Sequence, residues 1–156
     1  MIIAILLLTG FFILNRTSPK FWMFAWPGTV VHESLHWTVG KIMGANPTSF
    51  SVLPKKGTNI IGEVNFTNIT WFNCVPVTMA PLLAIPISYI IYGSFHIMDV
   101  FTISGILTVW IFSAVLALSW PSYIDFKLST RHPKGWILWG GLTVLFLYNK
   151  YPHVFG

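Results

Sequence analysis

His32-Glu33-Ser34-Leu35-His36 sets two imidazoles four residues apart with a carboxylate beside the first. In an α-helix, positions i and i+4 stand one above the other on one face, so both rings can reach one metal ion. A catalytic zinc takes three protein ligands and keeps a further position for water, beside which Glu33 is placed to act as the base. The chemistry this spacing supports is metal-assisted hydrolysis. Its setting is unusual, because the motif lies in an apolar stretch, Phe21 to Ala45, that reads as a membrane-embedded helix. A single histidine on an apolar helix is commonly a packed, hydrogen-bonded residue. Two histidines and a glutamate are costly in a lipid-facing segment unless they have partners, and together they argue for a metal site.

Two histidines leave a third ligand to find. Glu63, Asp125 and His132 all fall on the side towards which the motif helix runs, while His96, Asp99 and His153 fall on the other. Asp125 is the first choice, since Pro121-Ser122-Tyr123-Ile124-Asp125 directly continues an apolar span and a proline there can redirect the chain inward. Glu63 and His132 stay open as alternatives. An ordinary interfacial carboxylate paired with Lys127 is the plain structural account of Asp125. Geometry sets a condition: His36 stands about 13 Å from the end of its helix at 1.5 Å per residue, so a tilt or a turn at Pro121 has to bring Asp125 back to it.

The elements that must position these residues are written in the composition. Hydrophobic residues make up 54% and charged residues 8% of 156 residues, and mean hydropathy is +0.71. An average soluble domain carries about a quarter charged residues, so the expected class is a mainly α, polytopic bundle of transmembrane helices. The net charge of +5 comes from lysines and arginines in short loops, with no basic stripe interleaved with aromatics, which argues against nucleic acid as a partner. The one cysteine, Cys74, excludes an internal disulfide and reads as a small apolar residue in a helix.

Five apolar segments are expected in a single domain over 1–156. They are Met1 to Leu14, Phe21 to Ala45, Ile69 to Gly93, Asp99 to Trp120 and Gly135 to Tyr148. The first lacks a clear cleavage site and is expected to be a retained short span rather than a signal peptide. In the second, Pro27 either starts a tighter helix or kinks a longer one, and Gly44 with Asn46-Pro47 ends it. Pro76, Pro81 and Pro86 free carbonyls along the third, the pattern of a broken helix that admits water or substrate, or of plain kinks.

Ser49 to Phe66 differs in character and reads as a short β-hairpin after the motif helix, with Phe50-Ser51-Val52-Leu53 in one strand and Ile60 to Phe66 in the other. An amphipathic connector on the membrane surface is the alternative. If all five segments cross from a cytoplasmic amino terminus, Lys41, Lys55, Lys56, Lys127, Arg131 and Lys134 face the cytoplasm, against Arg16, Lys20 and Lys150 outside. That imbalance favours a multi-pass protein of the cell membrane with its site towards the cytoplasm, and Trp22, Trp26, Trp71 and Trp120 serve as interface anchors.

His32-Glu33-x-x-His36 on a membrane helix, then a hairpin, a span, and a span ending in Pro121-x-x-x-Asp125, resembles the site-2 protease family of membrane-embedded zinc metalloproteases, as a minimal or divergent member. The likeness in order and sidedness covers roughly residues 21 to 128. It implies that zinc is held by His32, His36 and Asp125, that Glu33 is the catalytic base, and that the hairpin helps to present a membrane-anchored or hydrophobic peptide. An asparagine can steady the oxyanion of the tetrahedral intermediate, and Asn73, at the cytoplasmic start of the third span, is the nearest one. The expected partners are that substrate, the lipid bilayer, and an accessory membrane protein or a second copy of the chain.

Two other classes compete. A non-catalytic membrane protein, such as a degenerate protease that holds clients, would keep a closed, four-ligand metal site. A small metal or ion carrier would line a path with ionisable groups; here those groups cluster at one point.

Overall fold

A computed structural model describes residues 2–15, 22–55, 62–95 and 101–154. Met1, Arg16, Lys20, Phe21, residues 56 to 60, His96 and Asp99, all named above, lie outside the described residues.

Four apolar runs become unbroken helices: α1 (Ile2–Asn15), α2 (Trp22–Ile42), α5 (Ile103–Leu118) and α7 (Pro133–Lys150). Pro27 lies inside α2 rather than starting it. The end of α2 follows its signals. Gly44 takes a left-handed φ of 71° and Asn46 one of 51°, and Ala45 N–H donates to the Gly40 carbonyl at 2.8 Å.

The turn delivers the chain into the hairpin. β1 (Pro47–Ser51) and β2 (Glu63–Phe66) pair antiparallel, with Phe50 opposite Val64 and Ser51 opposite Glu63. The first strand begins three residues before the expected Phe50 and ends at Ser51, with an irregular step between Pro47 and Ser49. β2 lies against α2, where Gly40 has no side chain to obstruct the Phe66 ring.

The third apolar segment is broken. It contains α3 (Cys74–Thr78), a 3₁₀ turn (Ala80–Leu83) and α4 (Ala84–Phe95), because prolines at 76, 81 and 86 each withhold the N–H that a continuous helix needs. The fourth ends at Leu118, turns through Ser119 to Ser122, and resumes as α6 (Tyr123–Ser129).

α1 and α2 both pack on α5 around Phe12, Ala25, Ala114 and Ala117. Ser113 Oγ donates to the Ile5 carbonyl at 3.1 Å, and Trp110 Nε1 to that of Phe24 at 2.8 Å. At Gly28 the backbones of α2 and α5 meet so closely that a Cβ would collide with the Ala114 carbonyl. One turn further along, this approach brings the end of α5 to His32.

Large apolar side chains cover the outside, among them Leu7, Ile90, Ile103 and Phe146. α7 is anchored at its start, by Gly135 against the Trp71 carbonyl and by Trp139 Nε1 donating to the Phe72 carbonyl at 2.7 Å, and is exposed from residue 140 onward. Among the described residues one helical stretch, Ile103–Ser129, is long and apolar enough to cross a membrane; Ile2–Leu14 and Ala80–Tyr92 are apolar but shorter. The fold is therefore mainly α with a two-stranded sheet.

Candidate metal centre

His32 and His36 stand on the same face of α2, as their spacing requires. His32 Nδ1 lies 2.6 Å from the Leu118 carbonyl of α5, and His36 Nδ1 lies 2.7 Å from the Val77 carbonyl of α3. A carbonyl only accepts, so each Nδ1 carries the proton and donates, and in the neutral ring each Nε2 presents a lone pair. The two Nε2 atoms are 3.1 Å apart.

Asp125 completes the group. Its Oδ1 is 3.4 Å from His36 Nε2 and its Oδ2 is 3.7 Å from His32 Nε2. The turn through Pro121 supplies the reach: α6 begins at Ser122, and Asp125 is the third residue of a capping box, accepting from Ser122 N–H at 2.7 Å while its own N–H donates to Ser122 Oγ at 3.2 Å. The carboxylate is thus aimed by its own helix start. Two lone pairs and a carboxylate converging within 4.8 Å repel one another unless a cation or a proton on one ring lies between them. The group His32, His36 and Asp125 could hold a metal ion.

Glu33 sits next to this group without belonging to it. It is buried at 7% exposure, under the hairpin. An ideal Cβ on Gly62 would come within 2.5 Å of Glu33 Oε1 and 2.7 Å of its Cγ, so only a glycine lets the strand close over this carboxylate. Gly62→Ala is expected to displace the Glu33 carboxylate by a fraction of an ångström to about 1 Å; were Glu33 the base of a hydrolytic reaction, a misplacement of that size would cost up to about 100-fold in turnover. Metal content measured beside turnover should be unchanged, since none of the three ligand side chains is touched.

The donors open on a cleft of about 950 Å³ walled by α2, by Gly62 to Phe66, by Val77 and Thr78, and by residues 118 to 128 around the turn into α6. Its wall is mostly apolar and aromatic, with Phe66, Trp120 and Phe126 among the largest side chains. Glu63 lines the cleft but is tied to Lys55, whose Nζ donates to Glu63 Oε2 at 3.0 Å and holds this carboxyl below its ordinary value. His132 is the N-cap residue of α7 and is not part of the cleft wall.

Asn73 has a different place from the one expected. Its Oδ1 accepts from Thr70 N–H at 2.7 Å, and its Nδ2 donates to the carbonyls of Asn68 at 2.9 Å and Met43 at 3.4 Å. It is buried at the start of α3, outside the cleft wall, and its carboxamide is spent on joining the turn after α2 to the entry of α3. In this arrangement the carboxamide is engaged with backbone away from the cleft lining.

Sequence reasoning also passed over Gly62, Ser122 and the two carbonyls that orient the histidines. Ser122-x-x-Asp125 carries a local signature, that of a capping box. The others carry none, because a carbonyl looks alike at every residue. Compared with family models, with curated proteins and with solved structures, the chain matches none.

Proposed function

We propose that this protein is a zinc-dependent peptidase that hydrolyses peptide bonds of membrane-anchored or hydrophobic substrates, within or at the edge of the bilayer. The observation that carries this reading is the convergence of His32 Nε2, His36 Nε2 and Asp125 on one point that opens onto a cleft, with Glu33 beside it. Three protein ligands and an open side are the mark of a catalytic rather than a structural site. Zinc is supported by the donor types, two imidazole nitrogens and a carboxylate, which are ligands of catalytic zinc; the two Nε2 atoms are 3.1 Å apart, and Asp125 Oδ1 and Oδ2 lie 3.4 Å from that of His36 and 3.7 Å from that of His32.

When bound, zinc would acidify a water molecule and polarise the scissile carbonyl. The chain's own groups do the rest. His32, His36 and Asp125 hold the ion, and Glu33 takes the proton from the attacking water and returns it to the leaving amine. The edge of β2 away from β1, unpaired among the described residues, is available to hold a peptide extended as an added strand. A helical substrate has to unwind first, because its carbonyls are already hydrogen-bonded.

The membrane setting is supported by the apolar exterior of α1, α4, α5 and α7 and by the excess of lysine and arginine on the site's side of a five-crossing arrangement. Broken helix in the third segment is compatible with that setting where the backbone lines a cavity, and Val77 and Thr78 line the cleft.

The test is cleavage of a quenched-fluorescent library of apolar peptides by the zinc-loaded protein in detergent micelles. Cleavage that stops with a chelator and returns with added zinc is the expected result. A protein that holds one zinc and cleaves none of the library would overturn the peptidase reading in favour of a non-catalytic metal site.

A further inference from the structure

Both metal-binding rings lean on backbone carbonyls that lie just upstream of prolines. A helical carbonyl at residue i is normally taken by the N–H of residue i+4, or of i+3 in a 3₁₀ turn. For Val77, residue i+4 is Pro81, which has no N–H, and its carbonyl meets His36 Nδ1 at 2.7 Å. For Leu118, residue i+3 is Pro121, and the N–H of residue i+4, Ser122, is already donated to Asp125 Oδ2 at 2.7 Å. The Leu118 carbonyl meets His32 Nδ1 at 2.6 Å.

We infer that Pro81 and Pro121 are positioning residues of the metal centre: each withholds the N–H that would take, in a continuing helix or 3₁₀ turn, the carbonyl on which His36 or His32 leans. This rests on the metal-binding reading of the site and adds to it the elements that orient its ligands. The physical reason is twofold. The accepted hydrogen bond fixes the tautomer that presents Nε2 to the ion, and it makes the ring a stronger donor to the metal. An alanine at 81 would add an N–H aimed at the Val77 carbonyl, extend α3 past its present end, and swing that oxygen onto the helix axis, away from the imidazole. Pro121 does a second job, since the turn it makes frees the Ser122 N–H for Asp125; all three ligands are thus oriented by chain breaks.

A built-in control is present in the same segment. Pro76 frees the Phe72 carbonyl in the same way, but that carbonyl accepts from Trp139 Nε1 at 2.7 Å and pins α7, away from the cleft. Removing it tests loss of a proline without touching a ligand.

The experiment measures zinc affinity of the full-length protein in micelles by competition with a chromogenic chelator, for the wild type, Pro81→Ala, Pro121→Ala and Pro76→Ala. Outer ligand supports of this kind are worth about 10–100-fold in metal affinity. Pro81→Ala and Pro121→Ala are expected to weaken zinc by that factor and to change the visible absorption of the cobalt-loaded protein, which reports ligand geometry. Pro76→Ala is expected to lower the melting temperature with zinc affinity and cobalt spectrum unchanged. Affinities for Pro81→Ala and Pro121→Ala within twofold of wild type, or an equal loss in Pro76→Ala, would overturn the inference while leaving the metal site standing. A wild-type protein that binds no zinc would overturn both. Should Pro81→Ala fail to fold, Pro121→Ala puts the same question to His32 from a separate helix.

Discussion

On the peptidase reading, Glu33→Gln is expected to abolish cleavage while one zinc per chain stays bound. The substitution keeps the side chain's length and shape under Gly62 and removes only its capacity to take a proton. Glu33 lies outside the ligand group, so the ion should not notice the change. A positioned general base contributes about 10²–10⁴-fold to such a reaction, and loss of at least that size is expected in turnover. Metal content by elemental analysis, run on the same preparation, separates the role of base from that of ligand. Zinc lost together with activity in Glu33→Gln would withdraw the assigned role and make Glu33 part of the metal's coordination.

The second large effect is on the metal itself. His36→Ala and Asp125→Asn each remove one of the three proposed ligands, and zinc content is expected to fall from about one per chain to near zero after dialysis. His36 is the more buried ring, and its loss also leaves the Asp125 carboxylate facing a cavity with one imidazole. In Asp125→Asn the capping interactions with Ser122 can persist, so a fold that survives with its metal gone isolates the ligand role from the structural one. Because the ion binds the folded chain, its loss also lowers stability, by about 4 kcal/mol if the free metal stood at a thousand times its dissociation constant. Zinc lost in His36→Ala but kept in Asp125→Asn would move the third ligand elsewhere. Glu63 would be next, since it lines the cleft and needs only to release Lys55, whereas His132 caps α7 outside the cleft wall.

The two outcomes are coupled to the peptidase reading in different ways. Retained zinc with a silent Glu33→Gln and an active wild type completes it. A metal-bound but inactive wild type leaves the ligand group intact and shifts its purpose to binding.

How much of this was legible follows from how far apart the interacting residues lie. The motif helix, its end at Gly44 and Asn46, and the breaks in the third segment are decided by neighbours within about four residues, through backbone hydrogen bonds and the missing proline N–H. They stood in the sequence and recur in the structure. So did the hairpin, its first strand displaced by three residues at its start because the bulge at Pro47 to Ser49 is not a composition signal.

Asn73 shows the converse. A polar residue at the start of a span looked like a catalytic group, yet the turn after α2 folds back to it and uses its carboxamide for three backbone partners. The count of crossings is likewise not fixed by apolarity alone, since α1 has 14 residues and the third segment is divided; of the described stretches Ile103–Ser129 alone has both the length and the composition.

The sequence by itself determined the two imidazoles on one helical face, because a helix of 3.6 residues per turn sets positions i and i+4 one above the other, with a carboxylate next to the first. Only the tertiary structure decided that Asp125 is the third member, that Gly62 closes over Glu33, and that carbonyls 86 and 41 residues away along the chain hold the rings. The reason is that the side chains and carbonyls meeting there come from α2, the hairpin, α3, the end of α5 and the start of α6. Their meeting depends on the close crossing of α2 and α5 at Gly28, and a packing distance between two helices is written in neither helix alone.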